Sequence, residues 1–317
     1  MSHTIHTAIR EMPWCIGYIG TYRGWAIHSA MYPDGRPHGQ GTWTSIPGGD
    51  SYSGEWRDGR KHGTGRYCWS NGEVYAGEWF DDAIHGRGTT WSEDGTVYDG
   101  MLRAHEKHGT GKITFPNGFT YEGTFTDNEL TGCGTLTDIE GGTTYVGDVL
   151  DGNKHGHGTL TDHEDGKTYT GEWHDDDRNG HGVLTCPTLT YTGEWRGDKR
   201  HGAGTMRWYT GIVYTGEWRD HAKNGRGTMT WEDGSTYVGE WRNGDMHGDG
   251  VYTRTYMSAD TVRWSFDGGF EHDRPTTGIH SDFVNMRRTR FTFAADCNCI
   301  FDEPTPVSSK RVRYASG

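Results

Sequence analysis

The sequence predicts an all-β protein, an elongated, twisted and curved antiparallel sheet built from about ten tandem β-hairpins. Three observations predict it. The string Tyr-x-Gly-Glu-Trp returns on a period of about 23 residues. Apolar and polar residues alternate through each copy, and Asn-Gly or Asp-Gly pairs separate the alternating runs. Self-similarity at one short period is the signature of a repeat array.

Full copies begin at Tyr52, Tyr75, Tyr169, Tyr191, Tyr214 and Tyr237, and looser ones at Tyr98, Tyr121 and Tyr145. From Tyr52 the tyrosines are 23, 23, 23, 24, 24, 22, 23 and 23 residues apart. Tyr18-Ile-Gly20-Thr-Tyr22 opens the series, and Phe266-Asp-Gly268-Gly-Phe270, followed by Thr277-Gly278, closes it as a degenerate copy. A second string follows at a nearly constant lag: His62-Gly63-Thr-Gly65, His85-Gly86-Arg-Gly88, His108-Gly109-Thr-Gly111, and on to His247-Gly248-Asp-Gly250.

Each copy reads as a hairpin. Tyr75, Gly77 and Trp79 alternate with Ala76 and Glu78, so the rings share one face of a strand. The return strand alternates likewise, with Gly111, Ile113 and Phe115, or Gly227, Met229 and Trp231, on that face. Asp58-Gly59, Asn117-Gly118, Asp233-Gly234 and Asn243-Gly244 are strong hairpin-turn signals. Glycine weakens a strand, so the Gly between Tyr and Trp implies a bend, or a ring packed over bare backbone. One hairpin holds too little apolar surface to fold alone, so neighbours must stabilise each other. The organisation expected is a segment 1–17, an array 18–270, a cap 271–301 carrying Phe283, Phe291 and Phe293, and a mobile basic tail 302–317 with Lys310-Arg-Val-Arg313.

Composition narrows the function classes. Hydrophobic residues are 31% of the chain, but 51 glycines, 14 Trp, 17 Tyr and 10 Phe shift its apolar content toward glycine and rings. The net charge of −13 opposes nucleic acid, whose binding rests on phosphate neutralisation, and opposes anionic membrane surfaces. No run of 18 apolar residues occurs, and the start, MSHTIHTAIREMPW, lacks the apolar core of a signal peptide. The six cysteines have no framework spacing, which fits reduced thiols. A cytoplasmic protein is expected, or one peripheral at a membrane or cytoskeletal structure.

The His-Gly histidines, one per hairpin, should stand about 9–10 Å apart, too far to share a zinc ion. His62, Gly63, Gly65, His85, Gly86 and Gly88 are therefore expected to be structural turn residues. The repeated Glu of Gly-Glu-Trp looks like a solvated face, since an acid–base pair needs two different environments. Gly109-Thr-Gly111-Lys112 lacks the flanking Gly and Ser/Thr of a phosphate loop. Cys297-Asn-Cys299 is too small to define a metal or redox site. No catalytic residue, metal or cofactor is expected. The candidates for partner contact are the rings Tyr52, Trp56, Tyr75, Trp79, Tyr169, Trp173, Tyr191, Trp195, Tyr214, Trp218, Tyr237 and Trp241. A single-layer sheet should leave some of them as exposed strips, and Tyr and Trp are favoured at binding hot spots.

The combination of Tyr-x-Gly-Glu-Trp, His-Gly-x-Gly and Asn/Asp-Gly on this period resembles the MORN (membrane occupation and recognition nexus) repeat over about residues 18–270. The resemblance implies linear arrays of antiparallel hairpins that act as interaction modules. Some members look like membrane-associated organisers, and others hold a partner segment in the aromatic groove or form oligomers. Enzymes with such arrays carry a separate catalytic domain, for which under fifty residues follow the array here. Glu-Trp is lost at 98–102, 121–125 and 145–149, which would weaken a continuous binding strip. The expected function is a non-enzymatic scaffold whose aromatic surface holds a protein partner or a second copy of itself. The alternative is a peripheral organiser that binds phospholipid head groups.

Overall fold

Period-two alternation between turn pairs dictates strands, and in the computed structural model all regular structure of the described residues is strand. Those residues are 30–31, 36–45, 48–255, 262–282 and 287–292. They fall into two units, Met1–Asp177 and Arg178–Gly317. Tyr18–Tyr22, Phe283, Phe293, Cys297, Cys299, the segment 1–17 and the tail 302–317 lie outside the described residues.

In the first unit, consecutive strands pair antiparallel from Ala30–Met31 through Lys167–His174. One repeat shows the pattern. Ser51–Arg57 pairs with Arg60–Cys68 through Tyr52↔Tyr67 and Gly54↔Gly65, and the register then slips before Trp56↔Lys61. The return strand next pairs with Val74–Phe80 through Gly63↔Trp79, Gly65↔Gly77 and Tyr67↔Tyr75. In the second unit the same register repeats, with Gly193↔Gly204, a slip, then Trp195↔Arg200. There the strands pair in order from Asp177–Cys186 through Arg287–Thr292. The degenerate last copy is also a hairpin, Val262–Glu271 with Arg274–Asp282, and Phe266 and Phe270 are buried in it.

The facing glycines explain the slip. A Cβ on Gly54 would meet the Thr64 carbonyl and the Tyr52 hydroxyl at 2.6 Å. The tyrosine ring lies across this bare backbone, as the strand glycine implied. Its hydroxyl then donates to the carbonyl at the bulge, three residues on. Tyr52 reaches Glu55 at 2.8 Å, Tyr145 reaches Asp148 at 2.8 Å, and Tyr214 reaches Glu217 at 3.0 Å. A buried phenol and a carbonyl displaced from the ladder thus satisfy each other.

Turns fasten each hairpin to the one before. Asp81 and Asp82 take φ of 47° and 71°, the paired left-handed conformation of tight hairpin turns, which Asp tolerates better than most residues. Asp82 then donates its N–H to the Lys61 carbonyl at 2.9 Å, and its Oδ1 accepts the Lys61 N–H at 2.8 Å. Asn128 holds Lys107, and Asp176 holds Lys154, in the same double clasp.

Candidate functional site

The twelve candidate rings are interior side chains. The six tyrosines are 0–2% exposed and the six tryptophans 3–9%. Tyr52, Tyr191 and Tyr214 each stand edge-on between their own tryptophan and the next repeat's. Tyr191 lies 5.2 Å from Trp195 and 5.4 Å from Trp218, and Tyr214 lies 5.1 Å from Trp218 and 5.2 Å from Trp241. Such T-shaped contacts suit the ring quadrupoles. Burial disfavours phenolate, pushing Tyr191 up to about 12. In the looser repeats Leu102, Phe125 and Val149 fill the tryptophan position and are equally buried. Tyr52, Trp56, Tyr75, Trp79, Tyr169, Trp173, Tyr191, Trp195, Tyr214, Trp218, Tyr237 and Trp241 therefore form no exposed strip, a correction to the expectation from a single layer.

Two devices cover them. The first is the hydroxyl bond that folds each tyrosine onto glycine. The second is a cation from the preceding return strand, laid over the next tryptophan. Lys61 sits 4.8 Å from Trp79, Lys154 5.5 Å from Trp173, Arg178 4.5 Å from Trp195, Arg200 4.7 Å from Trp218 and Lys223 3.9 Å from Trp241. These are cation–π distances, and the long side chains bury their stems on the rings. The sequence signal was available: a basic residue immediately before His-Gly or Asn-Gly in those copies.

The His-Gly residues also differ from their expected place. His62, Gly63 and Gly65 lie inside strand Arg60–Cys68, and His85, Gly86 and Gly88 inside Ala83–Trp91, not in turns. Gly63 and Gly86 have φ of 59° and 66° because the strand bulges there, and the carboxylates of Glu55 and Glu78 fold back against them. The histidines face the next hairpin's turn, as with His62 Nδ1 at 3.4 Å from Asp81 and His108 at 3.2 Å from Asp127.

Nor is the Gly-Glu-Trp carboxylate merely solvated. Glu55 accepts from the Thr64 hydroxyl at 2.8 Å and the Thr64 N–H at 3.1 Å, while Glu194 and Glu217 accept from Ala203 and Arg226 N–H groups at 3.0 and 2.9 Å. These carboxylates staple the bulge. The Thr64 hydroxyl and N–H hold Glu55 below the usual carboxylate range, and the His157 N–H does the same for Asp148. Among the described residues, no group of three or more His, Cys, Asp or Glu side chains is arranged to hold a metal ion. Gly109, Gly111 and Lys112 belong to strand Glu106–Thr114.

The ring face also carries a second set of aromatics. In the second unit Trp208, Trp231 and Trp264 are partly exposed. Trp231 stands 5.5 Å from Tyr252, which stands 5.4 Å from Trp264. In the first unit Trp43 and Trp69 flank Tyr67 at 6.2 and 4.6 Å. Of these, the sequence alternation places only Trp231 on the ring face. The aromatic residue three positions ahead of the turn glycine, as in Trp69-Ser-Asn-Gly72 and Trp208-Tyr-Thr-Gly211, marks two others.

Among solved structures, the chain is similar to the TCP domain of SAS-4 (dCPAP) of Drosophila melanogaster, in complex with a proline-rich motif of Ana2 (dSTIL). The identity is 12% over 57% of this chain and 85% of that one, with a TM-score of 0.25. A streptogramin B lyase matches at 11% identity over 86% of this chain and 88% of that one, with a TM-score of 0.14. At such TM-scores neither likeness carries an argument. Comparison with curated proteins gives no match. The MORN repeat family model matches ten tandem segments: 34–49, 52–74, 75–97, 98–120, 121–143, 145–163, 169–190, 191–213, 214–236 and 237–255. MORN repeats are in general protein- and membrane-interaction modules, non-enzymatic in themselves, and this chain belongs to the MORN repeat family.

Proposed function

We propose that this protein is a non-enzymatic scaffold that holds a partner polypeptide on the ring face of its repeats. One observation carries the reading. Beside rings that are fully packed, Trp208, Trp231 and Trp264 keep part of their surface in solvent. Large amphipathic rings on a rigid sheet are the residues that dominate binding energy once covered. Hydrogen bonds and ring packing account for the repeated Glu and Tyr, so neither stands out as an acid, base or nucleophile. The scaffold would work in the cytosol, or at a membrane or cytoskeletal structure reached through its partner. Direct attachment to phospholipid head groups is the rival reading, and a net charge of −13 opposes it.

The test compares the full chain with the W208A/W231A double variant. Both rings are only partly buried, so the variant should keep a cooperative thermal transition within a few degrees of the parent while losing a protein that the parent retains by affinity capture. Retention of the same protein by both would refute the reading. Strong, salt-sensitive co-sedimentation with vesicles containing anionic phospholipid would put the rival ahead.

A further inference from the structure

In two successive clasps between hairpins an acid reaches the covering cation. In the first unit Asp176 accepts from Lys154 Nζ at 2.7 Å and from the Lys154 N–H at 2.9 Å. In the second, Asp198 accepts from Arg178 Nε at 2.7 Å and from the Arg178 N–H at 3.0 Å. One hairpin further on the position belongs to His221, which keeps the backbone half of the clasp and loses the charge. The Arg200 N–H reaches His221 Nδ1 at 3.4 Å, and the guanidinium donates to the His221 carbonyl at 3.3 Å and to Met206 Sδ at 3.5 Å. No carboxylate among the described residues lies within ion-pair distance of Arg200, although the chain is strongly acidic.

Arg200 is half-buried, its guanidinium laid 4.7 Å over Trp218. A charge taken partly out of water costs free energy unless an opposite charge joins it, and guanidinium on an aromatic plane is pre-set for a carboxylate fork. Its surroundings add to the demand. Partial burial, and then Arg200, Arg178 and Lys199, which raise the local positive potential, hold His221 below its ordinary value.

From this juxtaposition we infer that Arg200 receives an acidic side chain of a partner polypeptide. The inference rests on the scaffold reading above and names the chemistry of what the ring face holds. A polypeptide is favoured over a lipid head group because Arg200 lies among Tyr191, Met206 and Trp218 on a sheet face, with a partly exposed ring further along the same strand. The strand Lys199–Trp208 carries Arg200 at one end and the partly exposed Trp208 at the other. Eight residues at about 3.4 Å each separate them, roughly 27 Å, so an extended segment of about eight residues would span both.

The test uses the full chain and a fluorescent glutamate octapeptide, with a glutamine octapeptide as the neutral control, and reads anisotropy at low and at physiological salt. The parent should bind the glutamate peptide alone, more weakly as salt rises. R200Q should abolish that binding. H221D, which supplies the carboxylate that the two preceding clasps carry in Asp176 and Asp198, should weaken it tenfold or more with the fold intact, whereas H221N should leave it unchanged. H221D keeps the test decisive if R200Q fails to fold. Equal affinity for H221D and parent, or no binding by the parent, overturns the site. So does Arg200-dependent binding to anionic phospholipid vesicles without peptide binding. Failure of the site alone would leave W208A/W231A still defective in partner capture, and failure of the scaffold reading would leave that capture intact.

Discussion

Gly216→Ala tests the physical reason for the repeat's glycine. A Cβ there would stand 2.5 Å from the Gly227 Cα, 2.6 Å from the Arg226 carbonyl oxygen and 2.6 Å from the Tyr214 hydroxyl. Two of the three obstacles are backbone, so relief requires the strands to part or the Tyr214 ring to lift. Lifting the ring forfeits burial of about 2 kcal/mol and the hydroxyl bond to Glu217, about 1 kcal/mol. It also forfeits the edge-on contacts with Trp218 and Trp241, about 1 kcal/mol each. The expected loss is about 5 kcal/mol, concentrated in Val213–Arg219 and its neighbours because repeats are stabilised by adjacent repeats. Gly244→Ala is the control. At φ of 103° it meets nothing within 4 Å, so only backbone strain applies, about 1–2 kcal/mol. Urea unfolding followed by circular dichroism gives both values, and amide exchange locates the opening. A loss under about 1 kcal/mol for Gly216→Ala, or equal losses for the two, would refute the ring-on-glycine account.

Three further outcomes follow from the same geometry. Trp218→Ala should destabilise the protein by about 3–5 kcal/mol, since the ring is nearly buried between two tyrosines; an unchanged melting temperature would show the ring is not core. Hydrogen bonding depresses the carboxyls of Glu55 and Asp148, so their stabilisation is present above the unfolded range near 4 and is lost as pH falls through the folded values. The double variant E55Q/D148N should show a shallower loss of urea midpoint between neutral and acid pH, and an unaltered slope would count against the staple. His221 is also depressed, by burial and then by Arg200, Arg178 and Lys199 against the opposing Asp220, so its contribution is present above the unfolded value near 6.5 and declines below it. H221N should flatten that mildly acidic limb of the melting profile; identical profiles would remove His221 from the clasp.

Strand, turn and period were legible because each is local. Alternation about Tyr-x-Gly-Glu-Trp needs only the backbone pleat, and Asn-Gly needs only the sterics of positive φ, so neither waits on distant residues. The glycine between Tyr and Trp announced a ring over bare backbone for the same reason. The carboxylate of Glu55 was harder, because its partner Thr64 lies across the hairpin and is brought near only by the register slip. His62 and Gly63 look like turn residues in sequence yet lie within a strand, since a bulge and a turn demand the same positive φ.

Which rings would be covered could not be settled along the chain. Identity alone makes Trp218 and Trp231 equivalent candidates. The structure separates them by what lies above: Arg200 from the preceding hairpin closes over Trp218, while Trp231, nearer the turn, stays partly open. The repeated hairpin was thus determined by the amino-acid sequence itself, through local sterics and alternation. Exposure was decided only by the tertiary structure, because the cation that covers a tryptophan belongs to a different repeat.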